Sequence, residues 1–198
     1  MKLSCKLFFI LLNTQLFVQI LTVQDLFRYM LPNPAIRDQY NVNLTEVYPC
    51  SNSTSYKINA NLYQKNITLS KLMIDGKLKL YISFDNSFSI NLHTMQWDMI
   101  GGWKENSMVL NKKKACSSLR DFLGEAWIPF INSFNKKNYL CPITKGSYKM
   151  TGFDISFLNK AKLPDLYLYG SFKLQVSFVE DQGHTLGCLN ILYDIFKT

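Results

Sequence analysis

Apolar and polar residues alternate along several stretches of the chain. The clearest is residues 77–84, where four apolar side chains alternate with lysine, tyrosine and serine. Residues 56–63, 88–93 and 171–178 repeat this period of two. Such alternation is typical of antiparallel strands with one buried face, so each stretch is predicted to be a strand. The predicted inward side chains are Ile58, Ala60, Leu62, Leu78, Leu80, Ile82, Phe84, Phe88, Ile90, Leu92, Phe172, Leu174, Val176 and Phe178.

Short turn-forming segments punctuate the chain between and around these stretches. They are rich in Gly, Asn and Asp, which adopt turn conformations readily. Short strands at this spacing predict an all-β fold, a sandwich or a barrel. The 198 residues are enough for one domain with a sizeable core. The predicted turns are Asp75-Gly76, Asp85-Asn86, Gly101-Gly102, Asn159-Lys160 and Asp181-Gln182-Gly183.

One stretch has helical spacing instead. In "ACSSLRDFLGEAWIPFINSF", Ser118 and Asp121 resemble a capping box, with Asp replacing the usual Glu or Gln. Pro129 cannot continue a regular helix. We therefore predict a helix at 118–127, then a kink or a second short turn starting at the proline. The apolar residues at helical spacing are Leu119, Phe122, Leu123, Ala126 and Phe130.

This helical stretch is more apolar than a surface helix requires. Two interpretations remain open: a helix buried against the core as a cap, or a lid or rim that borders an apolar opening. The surrounding apolar residues are Trp127, Ile128, Phe130, Ile131 and Phe134.

Trp97 and Trp103 flank the sequence "DMIGG", an unusually apolar turn. Packing in the core is the simpler interpretation. The alternative is a loop that touches lipid or a membrane surface.

The amino-terminal stretch resembles a targeting segment. Two lysines precede a short apolar run that polar residues soon interrupt, so a span of about 20 apolar residues is not available. We predict a signal peptide at 1–23, an irregular lead-in at 24–47 and a binding domain at 48–198. N-x-T sequons mark Asn43, Asn52 and Asn66 as expected glycosylation sites. A secreted, extracellular protein is expected, with the lysosomal lumen as the alternative.

The net charge of +8 indicates either nucleic acid or an anionic surface as a partner. Loss of Lys2 and Lys6 with the leader would lower it to about +6. The only dense basic run is residues 112–114, and the other lysines are scattered. This distribution favours a solvated basic face, with transient contact to an anionic membrane surface as the alternative. Nucleic acid is not expected.

Four cysteines remain after Cys5 in the leader: Cys50, Cys116, Cys141 and Cys188. An even number in an oxidising compartment predicts two disulfides, and four cysteines allow three pairings. A zinc site is disfavoured, because no two cysteines have C-x₂₋₄-C spacing.

Catalytic signatures are lacking. No G-x-S-x-G, P-loop or H-E-x-x-H motif occurs, and His93 and His184 have the settings of ordinary surface residues. We therefore expect a binding protein without enzyme activity, metal or cofactor.

Three segments resemble the ganglioside activator branch of the ML lipid-recognition superfamily. "CPITKGSYKM", "KLPDLYLYGSFKL" and "GHTLGCLNI" match its C-P-[FI]-x-[KE]-G-x-Y, L-P-x-x-x-x-x-G-x-[YF] and G-x-x-L-G-C-[IL]-x-I patterns. "NITLS" at Asn66 resembles a glycosylated strand of that family. The chain lacks two further cysteine pairs of the vertebrate activator. Its helical insert is similar to the insect branch, including chemosensory-protein-B-like members.

The resemblance implies the pairing Cys50–Cys188 and Cys116–Cys141. It also implies an antiparallel β-cup, an immunoglobulin-like sandwich that encloses an apolar cavity. The implied function is to hold acyl or other apolar chains and to transfer or present a (glyco)lipid as an activator for a hydrolase. A glycosidase or a chemoreceptor would then be a partner, and the alternative is an insect chemosensory or pheromone carrier.

The excess apolar surface predicts which residues line or border that cavity. The candidates come from the helical stretch, the tryptophan loop and the carboxyl-terminal strands. They are Trp97, Trp103, Phe122, Trp127, Phe130, Met150, Phe153 and Leu168.

Overall fold

The computed structural model describes residues 40–50, 55–68, 71–161 and 169–197. Strands dominate this part of the chain, and a short helical segment interrupts them, as the alternation predicts. The strands are β1 (Tyr40–Pro49), β2 (Ile58–Thr68), β3 (Lys71–Leu80), β4 (Ser89–Asp98), β5 (Gly102–Lys112), β6 (Gly146–Asp154), β7 (Gly170–Val179) and β8 (Thr185–Lys197). The helices are α1 (Ala115–Leu123) and α2 (Trp127–Ser133), with 3₁₀ segments at Gly124–Ala126 and Ile155–Lys160.

The strands form two sheets that pack face to face. One sheet has the order β1-β8-β7-β4-β5 and the other has the order β2-β3-β6. The pairs β4/β5, β4/β7, β7/β8, β2/β3 and β3/β6 are antiparallel. The sheets are open and do not close into a barrel. The prediction of an all-β sandwich is therefore confirmed.

Alternation along β4 shows why these residues form a half-buried strand. Ile90, Leu92 and Thr94 are buried, whereas the residues between them are half-buried. Ile90 and Leu92 belong to a core cluster that also includes Ile58 and Leu80 from the opposite sheet. The core thus lies between the two sheets, where the alternation places the apolar face.

The structure corrects the prediction that the amino-terminal lead-in is irregular throughout. Residues 40–47 were expected to be irregular but belong to β1, which lies beside β8. Leu44 and Val47 are buried in a second core cluster with Leu62 and Ile74. The two buried residues are three apart, so the strict period of two that marks a strand is broken here.

The predicted turn at Asp75-Gly76 is also wrong. Both residues lie inside β3, at a register shift against β6 between Ile74 and Gly76. A Cβ at Gly76 would lie 2.3 Å from the carbonyl oxygen of Asn61. The glycine is required by this close approach of two backbones, not by a turn.

The helical segment differs from its prediction at both ends. Helix α1 begins at Ala115, and its N-cap residue Lys114 has φ 60° and no side-chain cap. Ser118 lies within the helix and donates to the carbonyl of Lys113 at 2.7 Å, so it forms no capping box. The interruption falls at Gly124–Ala126, and α2 starts at Trp127. Pro129 occupies the first turn of α2, where a missing N–H costs little.

Several predictions fall on residues outside the described ranges. These are the signal peptide, the lead-in up to residue 39, the sequon asparagine Asn52 and the candidate Leu168. Asn66 lies in β2, and only its backbone is described. No helix in the described ranges is both long and apolar enough to cross a bilayer.

Candidate functional site

The helical segment packs its aromatic side chains against β6 and its neighbours. The Phe130 ring lies 5.2 Å from that of Phe134 and 5.6 Å from that of Phe153, both edge to face. The Trp127 and Phe130 ring centroids are 6.1 Å apart. Phe130 is half-buried and packs against both core clusters. It is the residue through which α2 joins the two halves of the interior.

A disulfide and a hydrogen bond anchor this segment. Cys116 of α1 lies at bonding distance from Cys141, with an S–S distance of 2.05 Å. The Trp127 Nε1–H donates to the carbonyl of Tyr139 at 2.8 Å. Cys50 and Cys188 form the other pair, which ties the end of β1 to β8. Both pairs are those that the family resemblance implied.

The inner faces of β7 and β8 are less buried than their central position suggests. Leu174 and Val176 point toward the core from β7, and their β8 partners are Ile191 and Leu189. All four side chains are only half-buried, whereas Leu92, the β4 partner of Val176, is 4% exposed. Apolar surface therefore remains accessible on the inner face of the middle strands.

A polar pair lies further along this inner face. The Tyr193 ring stacks on Phe172 with centroids 5.6 Å apart. Burial raises the pKa of Tyr193 to about 12, and the Thr94 hydroxyl opposes that rise. The Thr94 hydroxyl is itself fully buried and makes no hydrogen bond of good geometry among the described residues. The two hydroxyls are thus neighbours without a well-formed bond.

The β4–β5 hairpin presents the two tryptophans at one end of the sandwich. The Trp97 and Trp103 rings contact edge to face at 5.2 Å, and they are paired directly across the two strands. Between them Met99 and Ile100 are 95% and 99% exposed. The Lys173 ammonium lies 5.1 Å from the Trp103 ring centroid. The hairpin tip is therefore an exposed apolar point with cations close to it.

Asp98 shapes this hairpin tip. Its carboxylate accepts hydrogen bonds from the backbone of Ile100 at 2.9 Å and of Gly101 at 3.4 Å. Lys104 forms an ion pair with it at 2.5 Å. The hydrogen bond from Lys104 is the largest of the interactions that lower the pKa of Asp98. The exposed side chains are thus held on an ordered turn.

The predicted cavity residues divide into two groups. Trp97 is 48% exposed and pairs with half-buried Trp103 at the hairpin tip. The others that the structure describes belong to the sandwich interior and its helical side: Phe122, Trp127, Phe130, Met150 and Phe153. Within this second group Trp127, Met150 and Phe153 are almost fully buried, whereas Phe122 and Phe130 are half-buried.

The two histidines, which the sequence analysis interpreted as ordinary surface residues and not as catalytic ones, lie apart from both groups. His93 projects from the outer face of β4 beside Gln175. His184 lies 3.8 Å from Glu180 in the β7–β8 turn. In the described ranges, no three His, Cys, Asp or Glu side chains are placed to share a metal ion.

Sequence reasoning did not single out one feature of this site, the half-buried inner face of β7 and β8. Alternation predicted Leu174 and Val176 as inward residues but not their exposure. Met99 and Ile100, in contrast, lie in the apolar turn for which the sequence offered contact with lipid or a membrane surface as the alternative interpretation. Two apolar residues in a turn beside a glycine pair have no strand face to bury them.

No family model and no characterised protein matches this chain. The resemblance to the ML lipid-recognition superfamily therefore stays an expectation based on the three segments quoted above.

Proposed function

We propose that this protein is a non-enzymatic lipid-binding protein that holds an acyl or other apolar chain between its two sheets. The observation that carries the proposal is the accessible apolar inner face of the middle strands, at Leu174, Val176, Leu189 and Ile191. A solid sandwich would bury these positions as completely as it buries Leu92. Each buried CH₂ of a bound chain contributes about 0.8 kcal/mol, so such a site needs no directional contact.

The helical segment and its aromatic side chains would border this binding site. Phe122 and Phe130 are half-buried beside the core, so they are the candidates for direct contact with a ligand. Three other predicted residues would pack against these two without contacting the ligand, because almost none of their surface is accessible: Trp127, Met150 and Phe153. This assignment narrows the list of ligand-contacting residues that the sequence predicted.

Transfer of a lipid from a membrane is favoured by the hairpin tip. Met99 and Ile100 are almost fully exposed, which costs free energy in water and gains it in a bilayer interface. Tryptophan pairs and nearby lysines are typical of membrane-contacting surfaces. A carrier of a water-borne odorant has no need for such a tip, so lipid transfer or presentation is preferred over the chemosensory alternative.

The wider setting of the proposal follows from the cysteines and the sequons. Two cysteine pairs at bonding distance are consistent with an oxidising compartment such as the secretory pathway. Asn43 is exposed on β1, as a glycosylated asparagine must be. Presentation of the lipid to a hydrolase or a receptor, and glycosylation at Asn43, Asn52 and Asn66, are parts of this proposal.

Native mass spectrometry after delipidation and addition of a long-chain fatty acid tests the proposal. We expect one bound chain, lost in Leu174→Trp, which would fill the accessible space on the inner face. The matched control is Ser171→Trp, on the exposed outer face of the same strand, and it should bind like the wild type. Failure of the wild-type protein to bind any chain, or equal binding by Leu174→Trp, would overturn the proposal.

A further inference from the structure

The outer face of the three-stranded sheet carries lysines without acidic partners. Lys77 and Lys79 of β3 and Lys149 of β6 are exposed on this face. None of the three makes an ion pair within the part of the chain that the structure describes. We call Lys77, Lys79 and Lys149, with Asn59, Asn61 and Ser147 beside them, the basic face.

Two of these charges are placed directly opposite each other. Lys77 and Lys149 are paired across β3 and β6, in the row that continues to Asn61 on β2. Like charges in directly opposed positions destabilise a sheet. The lysines at either end of the same sheet do have acidic neighbours, since Lys65 lies 4.0 Å from Asp75 and Lys57 lies 3.2 Å from Glu180. Among the exposed lysines of β2, β3 and β6 whose side chains the structure describes, those without an acidic partner are therefore Lys77, Lys79 and Lys149.

The other side chains on this surface are suited to sugars. Asn59 and Asn61 present amides in the rows of Lys79 and Lys77, and Ser147 adds a hydroxyl opposite Lys79. Amides and hydroxyls can both donate and accept, which matches sugar hydroxyls.

Exposed tyrosines stand at both ends of the basic face. Tyr63 and Tyr81 are each more than half exposed. Tyr63 is paired with Asp75, and the backbone N–H of Tyr81 donates to the carbonyl of Lys57. The two rings are six residues of strand apart, about 20 Å at about 3.3 Å per residue. The Lys79 ammonium lies 4.5 Å from the Tyr81 ring centroid, so an extended ligand along β3 would meet this cation–ring pair at one end and Tyr63 at the other, with Lys77 between them.

We propose that the basic face binds an acidic polysaccharide, with Lys77, Lys79 and Lys149 pairing with its sulfate or carboxylate groups. A protein partner fits less well, because the rows of Lys77 and Lys79 hold no apolar side chain to form an interface centre. A membrane fits less well, because the almost fully exposed side chains Met99 and Ile100 lie on the β4–β5 hairpin, whereas the exposed large side chains on this face are the tyrosines Tyr63 and Tyr81. The site is separate from the space between the sheets.

Calorimetric titration of the full chain with a heparin-derived octasaccharide tests this assignment. We expect binding that weakens as salt is added, since each lysine that pairs with a sulfate or carboxylate releases a cation condensed on the polysaccharide. Lys77→Gln with Lys149→Gln should weaken binding about tenfold. The matched control, Lys112→Gln with Lys113→Gln, removes the same charge from the end of β5 and should change binding by less than about twofold.

Three results would overturn the proposal. The first is no binding by the wild type, and the second is equal weakening in both double variants, which would mean that only net charge matters. The third is that the Lys77/Lys149 double variant loses binding to vesicles of phosphatidylcholine and phosphatidylserine but still binds the octasaccharide. That result would mean that the basic face binds a membrane. Since no apolar ligand enters this assay, its failure leaves the proposed lipid-binding function standing.

Discussion

Gly187 of β8 lies directly against the backbone of Ile58, the first residue of β2. A Cβ at Gly187 would be 2.4 Å from the Ile58 carbonyl oxygen and 2.8 Å from its Cβ. The two sheets thus approach closely at this end, whereas Leu189 and Ile191, further along β8, remain half-buried. The contact fixes how far apart the sheets lie where the accessible inner face begins.

Gly187→Ala should therefore destabilise the protein. The neighbour is backbone that cannot rotate away, so the sheets must separate, and we expect a loss of about 3 kcal/mol in the free energy of unfolding. Denaturant unfolding measures it. Gly101→Ala is the control, because nothing lies within 4 Å of the added methyl group, and it should change stability by less than about 0.5 kcal/mol. Equal stability of the two variants would contradict the close approach.

Trp127 is predicted to matter for stability more than for ligand contact. It is 3% exposed and its indole N–H is bonded to Tyr139, so Trp127→Ala should cost about 3–5 kcal/mol in unfolding free energy. The neighbouring Ile128 is more than half exposed, and Ile128→Ala should be close to neutral. If Trp127→Ala kept its stability but lost fatty-acid binding, the indole would instead belong to the ligand-contacting surface.

The hairpin tip should be required for membrane contact but not for folding. Met99→Ser with Ile100→Ser removes the two most exposed apolar side chains of the tip and leaves the bonds of Asp98 to the backbone in place. We expect vesicle binding, measured by co-sedimentation, to fall at least tenfold with an unchanged melting temperature. Leu140→Ser, at another exposed apolar position, is the control. Loss of binding in the control alone would place the membrane contact elsewhere.

The sequence predicted strands better than it predicted the points where strands are interrupted. Period-two alternation requires only local spacing, so β2, β4 and β7 were found close to their observed positions. The Asp75-Gly76 pair was misread as a turn, because the sequence does not distinguish a glycine needed for close backbone approach from a glycine needed for a turn. The start of α1 was missed because Lys114 precedes it in a left-handed conformation without a side-chain cap.

The candidate site was predictable in composition but not in arrangement. Aromatic residues in excess of what a surface helix needs did identify Phe122 and Phe130, which are half-buried beside the core. The accessibility of Leu174 and Val176 depends instead on the separation of two sheets, which contacts distant in sequence determine. A strand that faces a solid core and a strand that faces an open space have the same alternation.

Alkaline pH should destabilise the protein through Tyr193. Its pKa of about 12 in the folded protein lies above the value of 10.0 for a free tyrosine, because burial disfavours the phenolate. Between these two values the unfolded chain loses its proton first, so stability falls as pH rises from about 10 to about 12. The shift corresponds to about 2–3 kcal/mol, and below about pH 10 it contributes no pH dependence.

The difference between the wild type and Tyr193→Phe isolates this contribution from the other groups that titrate at high pH. The variant should lose less stability than the wild type between about pH 10 and 12, measured as the pH dependence of the unfolding free energy. Tyr63→Phe, at an exposed position, should keep the wild-type dependence. If Tyr193→Phe followed the wild-type curve, the phenol would have access to water, and the space beside Phe172 and Thr94 would be wet rather than closed.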